Sequence, residues 1–208
     1  MSLTPKRPLS SRKKQDYPRH QDLAEALAER EAELAEARRQ QAATADVLKV
    51  ISRSAFDLQA VLDTLVRSAA ELSDSSSGII YLQDDNAFRI KAHFGMRAEF
   101  VRYLEENPQK PGRGSVGGRV LLTGAVQNIP DAQVDEEYDP FLKSNPTTRA
   151  LLGVPLFRDG KIVGGIFLAR ARAVVFSQQQ IELVQSFADQ AVIAIENVRL
   201  FDDAQAHA

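Results

Sequence analysis

Cysteine is absent from all 208 residues. That one absence removes disulfides, thiolate-bound zinc, thiol nucleophiles and thioether-linked chromophores together, and it leaves the compartment open. Histidine is scarce: His20, His93 and His207 are the only three. They fall in a basic tail, near a strand end and at the C-terminus, and no pair has metal-ligand or triad spacing. No run approaches 18 consecutive apolar residues, so nothing reads as a membrane span. Residues 1–20 are basic with no apolar stretch behind the charge, which excludes a secretory signal peptide. The reading is a cytoplasmic protein. A dominant charge is also missing. A net charge of -2 and a pI near 6.0 argue against a dedicated nucleic-acid binder, which is usually strongly basic.

What remains is enough for one core, with 44% hydrophobic residues, and one domain plus an extension. The charge is uneven. Residues 1–20 carry six Lys/Arg against Asp16, about +5, which leaves about -7 for 21–208. This Pro-, Ser-, Lys- and Arg-rich tail reads as a disordered linker, with a contact to anionic lipid or nucleic acid as the sharper alternative. Met1-Ser2-Leu3 is compatible with a cloning scar.

Glycine and proline are missing from residues 20–56. A helix from Asp22 to Arg53 is expected there, about 48 Å long at 1.5 Å per residue. Its heptad seam runs Leu23, Leu27, Arg30, Leu34, Ala37, Gln41, Thr44, Leu48, Ile51, apolar at both ends and polar in the middle. Such a helix cannot bury its seam against a small domain along its whole length. A homodimer through Leu23, Leu27, Leu34, Leu48 and Ile51 is the simplest solution; a lone solvated helix is the alternative.

Residues 55–208 read as one α+β block behind a 21–54 coiled-coil helix. Asp57 is placed as an N-cap, stapled by Phe56 and Val61, ahead of a helix carrying Leu62, Leu65, Val66 and Leu72. Residues 78–82 and 88–92 read as a hairpin, 95–107 as a short helix, and 108–118 as a Pro/Gly loop. Ser115 caps a short helix closed by Gly124, residues 126–129 form a short strand, and 130–148 are irregular. Residues 150–157 and 162–169 form the clearest hairpin, joined across Asp159-Gly160. Ser177, with Gln180 as a capping box, starts a long C-terminal helix. Ile181, Val184, Ala188, Ala191, Ile195 and Val198 form one stripe of it, and Phe187, Ala194 and Phe201 a second. One stripe suits the sheet and the other a second subunit.

No catalytic constellation stands out. Gly112-Arg113-Gly114-Ser115-Val116-Gly117 fits G-x-G-x-x-G, but no strand enters it and only a short helix leaves it, so a dinucleotide fingerprint is not supported. It reads as a tight loop with a capped helix, or as a weak anion cradle beside Arg113. The acidic run Asp131, Asp135, Glu136, Glu137, Asp139 lacks calcium-loop spacing and reads as a solvated loop. Tyr138 and Phe141 of the same segment suit a pocket lid.

From about Val47 to Phe201 the chain resembles the GAF domain family. Three stretches carry the match: 111–119 (Pro-Gly-Arg-Gly-Ser-Val-Gly-Gly-Arg), 151–156 with 159–164, and 176–201. Residues 45–52 look like the helix that precedes such domains in bacterial sensor histidine kinases. The resemblance implies a GAF-like antiparallel sheet flanked by helices, with a small-molecule pocket between one sheet face and a loop-and-helix cover. It implies a regulatory sensing and dimerisation module of bacterial two-component signal transduction, not itself an enzyme. Without cysteine, covalent bilin binding and thiol-based methionine-sulfoxide reduction are excluded. The residue set associated with cyclic-GMP-binding relatives is not found, nor is a phosphoacceptor-histidine segment or kinase domain. The ligand is therefore unknown. Phe94, Arg113, Ser115, Val116, Tyr138, Phe141 and Leu151 are the expected pocket residues. A ligand-free dimerisation scaffold and an enzyme using the glycine loop are the competing readings.

Overall fold

The computed structural model describes residues 30–31, 57–84 and 87–206, with side chains to 201. The chain divides into two compact units, Met1–Gln41 and Ala42–Ala208. In the first, Arg30 and Glu31 are helical and exposed. The expected heptad contacts at Leu23, Leu27, Leu34, Leu48 and Ile51 lie outside the described residues, as do the basic tail and the Phe56 half of the staple.

In the second unit, the Asp57 carboxylate accepts from Ala60 N at 3.1 Å and starts α1 (Leu58–Leu72). Val61, Leu62, Leu65, Val66, Ala69 and Ala70 recur at three- and four-residue steps and are all buried. Each large one contributes about 1.5–3 kcal/mol by leaving water. Then follow β1 (Ser77–Asp84), β2 (Ala87–Phe94), α2 (Ala98–Glu106), α3 (Val116–Thr123) and β3 (Gln127–Ile129). A 3-10 turn (Ala132–Val134), α4 (Pro140–Lys143), β4 (Ala150–Arg158), β5 (Lys161–Arg170) and α5 (Gln178–Ala206) complete the order. The strands make one antiparallel sheet in the order β2-β1-β5-β4-β3. The expected α+β, GAF-like architecture is what forms.

Both sheet faces are apolar. Ile80, Leu82, Leu152, Val154, Leu156, Ile166 and Leu168 pack on α1 and α5. Ile79, Tyr81, Leu151 and Phe167 face the opposite way, toward α2, α3 and the segment 130–148. The period-2 alternation of a strand produces this split. In β2 the alternation changes phase. Tyr81 pairs with Ile90 while Ile80 pairs with Ala92, so Lys91 is an extra, bulged residue. Its carbonyl accepts from Gln59 Nε2 of α1 at 2.7 Å, which replaces a ladder bond. Phe88 and Ile90 therefore face the cover, whereas Ala92 and Phe94 face the helices.

Two details depart from expectation. α2 starts at Ala98 rather than Gly95, because Gly95 adopts φ 68° and cannot continue a helix. On α5 the two expected stripes merge: Val184, Phe187, Ala188, Ala191 and Ala194 are all buried in the same core. Ile193, Leu200 and Phe201 are the large apolar residues of that helix left exposed. The β4–β5 turn is as expected. Asp159 and Gly160 sit at φ 51° and 74°, the left-handed pair of a type I′ hairpin. The Ser177–Gln180 capping box is present, with Gln180 N donating to Ser177 Oγ and Ser177 N to Gln180 Oε1.

α3 sits directly on β4 at Gly153. A Cβ there would lie 2.8 Å from Val120 Cγ2 and 2.9 Å from Val116 Cγ2. Overpacking costs about 1–3 kcal/mol, offset by the 0.5–1 kcal/mol that alanine gains over glycine in a strand, both approximate. Gly153→Ala should therefore destabilise the domain by about 1 kcal/mol in urea titration. A gain in stability would show that α3 does not press on the sheet there.

Candidate functional site

The helix-covered face of the sheet is filled by regular packing. The other face is covered by α2, α3 and irregular chain, and there a cavity of about 70 Å³ remains. Its floor is Ile79 and Tyr81 of β1, Leu151 of β4, and Phe167 and Ala169 of β5. Its roof is Met96, Phe100, Leu104, Gln109, Ser115, Val116, Tyr138 and Leu142, with Asn145, Thr147 and Thr148 at one side. Tyr81 meets Phe167 edge-on, with centroids 5.6 Å apart. An outer cleft of about 220 Å³, running past Tyr103, Lys110 and Asp139, shares Leu104, Gln109, Ser115 and Leu142 with the cavity.

The glycine loop closes over this space by its own bonds. Ser115 Oγ accepts from Gly118 N at 2.9 Å and donates to Gln109 Oε1 at 2.7 Å. Gln109 N donates to Phe88 O at 2.9 Å, and Gly112 N to Gly118 O at 3.1 Å. The Tyr138 hydroxyl accepts from Val116 N at 3.2 Å. A Cβ at Gly117 would sit 2.7 Å from Gln109 Oε1, so small residues let the loop and α3 approach. The amides of Val116 and Gly118 are thus spent internally, which is the tight-loop reading rather than the anion cradle.

Residues 57–195 match the family described as GAF domain. The chain belongs to the GAF domain family. GAF domains are regulatory ligand-binding and signalling modules. The chain is 24% identical over 170 residues to the probable 3',5'-cyclic phosphodiesterase pde-5 of Caenorhabditis elegans, covering 76% of this chain and 23% of that protein. The GAF domain of a phosphoenolpyruvate-protein phosphotransferase from Coxiella burnetii superposes with TM-score 0.65 at 18% identity, covering 79% of this chain and 96% of the other. A domain of a protein assigned as a two-component sensor histidine kinase from Sinorhizobium meliloti gives 0.59 at 17% identity, covering 73% and 99%. At these identities the structural likenesses speak for the fold alone.

In this GAF domain, Ser115, Val116, Tyr138 and Leu151 of the seven expected residues line the cavity. Phe94 does not. The Lys91 bulge turns it to the helix-covered face, where the Arg67 guanidinium lies 5.0 Å from its ring centroid. The Arg113 side chain is 65% exposed and pairs with Glu137 at 2.6 Å. Phe141 is 45% exposed and stacks outside the roof on Phe100 and Tyr103. Tyr81, Gln109, Asn145, Thr147, Thr148 and Phe167 line the cavity without having been singled out. His93 is an exposed β2 residue away from it.

Most of the acidic run is bonded within the cover, while Glu136 is exposed. Asp135 takes both Arg119 nitrogens, at 2.6 and 3.0 Å, and Asp131 takes Arg149 at 2.8 and 2.5 Å. Asp131 and Asp139 also cap the 3-10 turn and α4. The run straps the cover down, and among the described residues no acidic or histidine group could hold a metal. The arginine partners hold the Asp131, Asp135 and Glu137 carboxyls below the usual carboxylate range. Burial pushes the Tyr81 and Tyr138 phenols well up, so both stay neutral.

A depressed carboxyl contributes stability that is present above its unfolded value, near 4, and lost as pH falls through the folded value. Thermal melts from pH 7 to 3 should therefore show stability falling below about pH 4. Arg119→Met should remove about 2 kcal/mol at pH 7, since it strands a partly buried carboxylate. It should also flatten that acid limb. An acid limb as steep as wild type would show that the Arg119–Asp135 pair is not its source.

Proposed function

We propose that this chain is a cytoplasmic small-molecule-sensing module of bacterial signal transduction, the sensory part of a histidine kinase. In this reading it is a homodimer, joined through Leu23, Leu27, Leu34, Leu48, Ile51 and the C-terminal helix. The observation that carries the reading is the cavity: it lies under an irregular cover, not inside the regular helix–sheet core. The exposed Ile193 and Leu200 on α5 support a helical partner on that end. Ligand binding biases two packings of the flanking helices, which pass the bias to an output domain. A ligand shifts that balance only by its differential affinity for the two states. The polar heptad centre at Arg30, Gln41 and Thr44 suits a seam that must move.

A ligand-free dimerisation scaffold is the second reading, and the small volume of the cavity favours it. Native mass spectrometry followed by denaturing release separates the two. A dimer carrying a defined extra mass is the expected result. A clean monomer contradicts the helical relay, and a bare dimer from freshly lysed cells favours the scaffold. In the full signalling protein, replacing Arg30, Gln41 and Thr44 by leucine should lock the seam and abolish ligand response. A response of unchanged size removes the relay.

A further inference from the structure

We infer that the cavity takes a small uncharged molecule bearing a hydrogen-bond acceptor, an amide or carbonyl oxygen being the simplest. By the same inference it rejects carboxylates and phosphates, cyclic nucleotides included. The inference rests on the ligand-sensing reading and narrows its ligand class.

Two side chains carry it. Asn145 and Thr148 line the cavity and are only 6% and 5% exposed. Asn145 uses its Oδ1, which accepts from Thr147 N at 3.3 Å and Thr147 Oγ1 at 3.2 Å. Its amide nitrogen donates to no described residue, and the Thr148 hydroxyl likewise makes no hydrogen bond among the described residues. Buried donors ordinarily find an acceptor. Neither atom is sealed away without a partner, so each still meets open space. The Tyr138 hydroxyl accepts from Val116 N and keeps its own proton to give. The unmet groups at this site can all donate, which asks for an acceptor on the ligand.

Charge decides which acceptor. No Asp, Glu, Lys or Arg lines the cavity. The two guanidiniums nearest the cavity are taken, Arg119 by Asp135 and Arg149 by Asp131, and Lys110 lines the outer cleft and not the cavity. An anion drawn from water into this space finds neutral donors and no counter-charge, and burying an unpaired charge costs far more than burying a neutral isostere. Size narrows the class further. A cavity of about 150 Å³ holds benzene. About 70 Å³ therefore accepts a head of roughly three heavy atoms, and anything longer extends toward the outer cleft past Gln109 and Leu142.

The test uses the full chain with isosteric pairs: acetamide against acetate, and propionamide against propionate, with 3',5'-cyclic GMP as a bulky anion. Saturation-transfer NMR and thermal shift at neutral pH read binding. Each amide should bind at least about tenfold more tightly than its acid. Thr148→Val keeps the shape and removes a hydroxyl that no described residue uses. It should leave the Tm within about 2 °C and weaken propionamide several-fold. Ala169→Leu fills the floor and should abolish amide binding while the protein remains folded. If an acid or cyclic GMP binds as well as the amides and Ala169→Leu removes it, the ligand class is wrong and the sensing pocket stands. If no probe binds, the ligand class falls, and the sensing reading is decided separately by the native mass spectrometry above. Amide binding untouched by Thr148→Val overturns the assigned donor.

Discussion

A single antiparallel sheet with two apolar faces has to be covered twice, and everything else in this domain follows from how the two covers differ. On one face α1 and α5 supply amphipathic helices, and the core between them is filled by Leu, Ile, Val and Phe187. Two helices of good periodicity leave little reason for a void. On the other face the chain has α2, α3, a four-residue α4 and long irregular connections. Such a cover must satisfy its own backbone while it spans the sheet. It does so with side-chain caps, the Tyr138–Val116 bond and arginine–carboxylate pairs. What it cannot do is pack like a helix, and the cavity is the remainder.

The polarity of that remainder is a consequence of the same solution. Arg113, Arg119 and Arg149 pair with Glu137, Asp135 and Asp131 of the cover, and the space beneath is lined by hydroxyls, amides and phenols among its apolar residues. Gly153 and Gly117 matter because they set how close α3 comes: with side chains at either position the roof would be held off the sheet or off Gln109. The Lys91 bulge matters because it divides β2 between the two covers, sending Phe88 and Ile90 one way and Phe94 the other.

The strands, the hairpin at Asp159-Gly160, the caps at Asp57, Ser115 and Ser177, and the order of elements were legible in the sequence. Each rests on a local signal: alternation, a left-handed turn pair, a hydroxyl or carboxylate before an apolar run. The bulge was not legible, because one inserted residue leaves no compositional mark, and Phe94 was misplaced for that reason. Arg113 looked like a ligand cation because its partner Glu137 stands 24 residues away. Asn145 and Thr148 were missed because short polar residues in an irregular segment look alike until the fold buries them. A cue did exist: a polar stretch that lies over an apolar sheet face must bury some of its polar groups. The merged stripe on α5 has a similar origin, since Phe187 and Ala194 sit close enough to the first stripe for a twisted sheet to cover both.

The central claim is that the two covers differ in kind, one a helix pair fused to the core and one an irregular chain held by caps and ion pairs. Native-state hydrogen exchange resolved by residue tests it most directly. The account predicts that amides of α1, β1, β4 and β5 exchange only through global unfolding. Those of 109–118 and 132–148 should exchange through a smaller, separate opening. Uniform protection across both sets, governed by one global free energy, would contradict it.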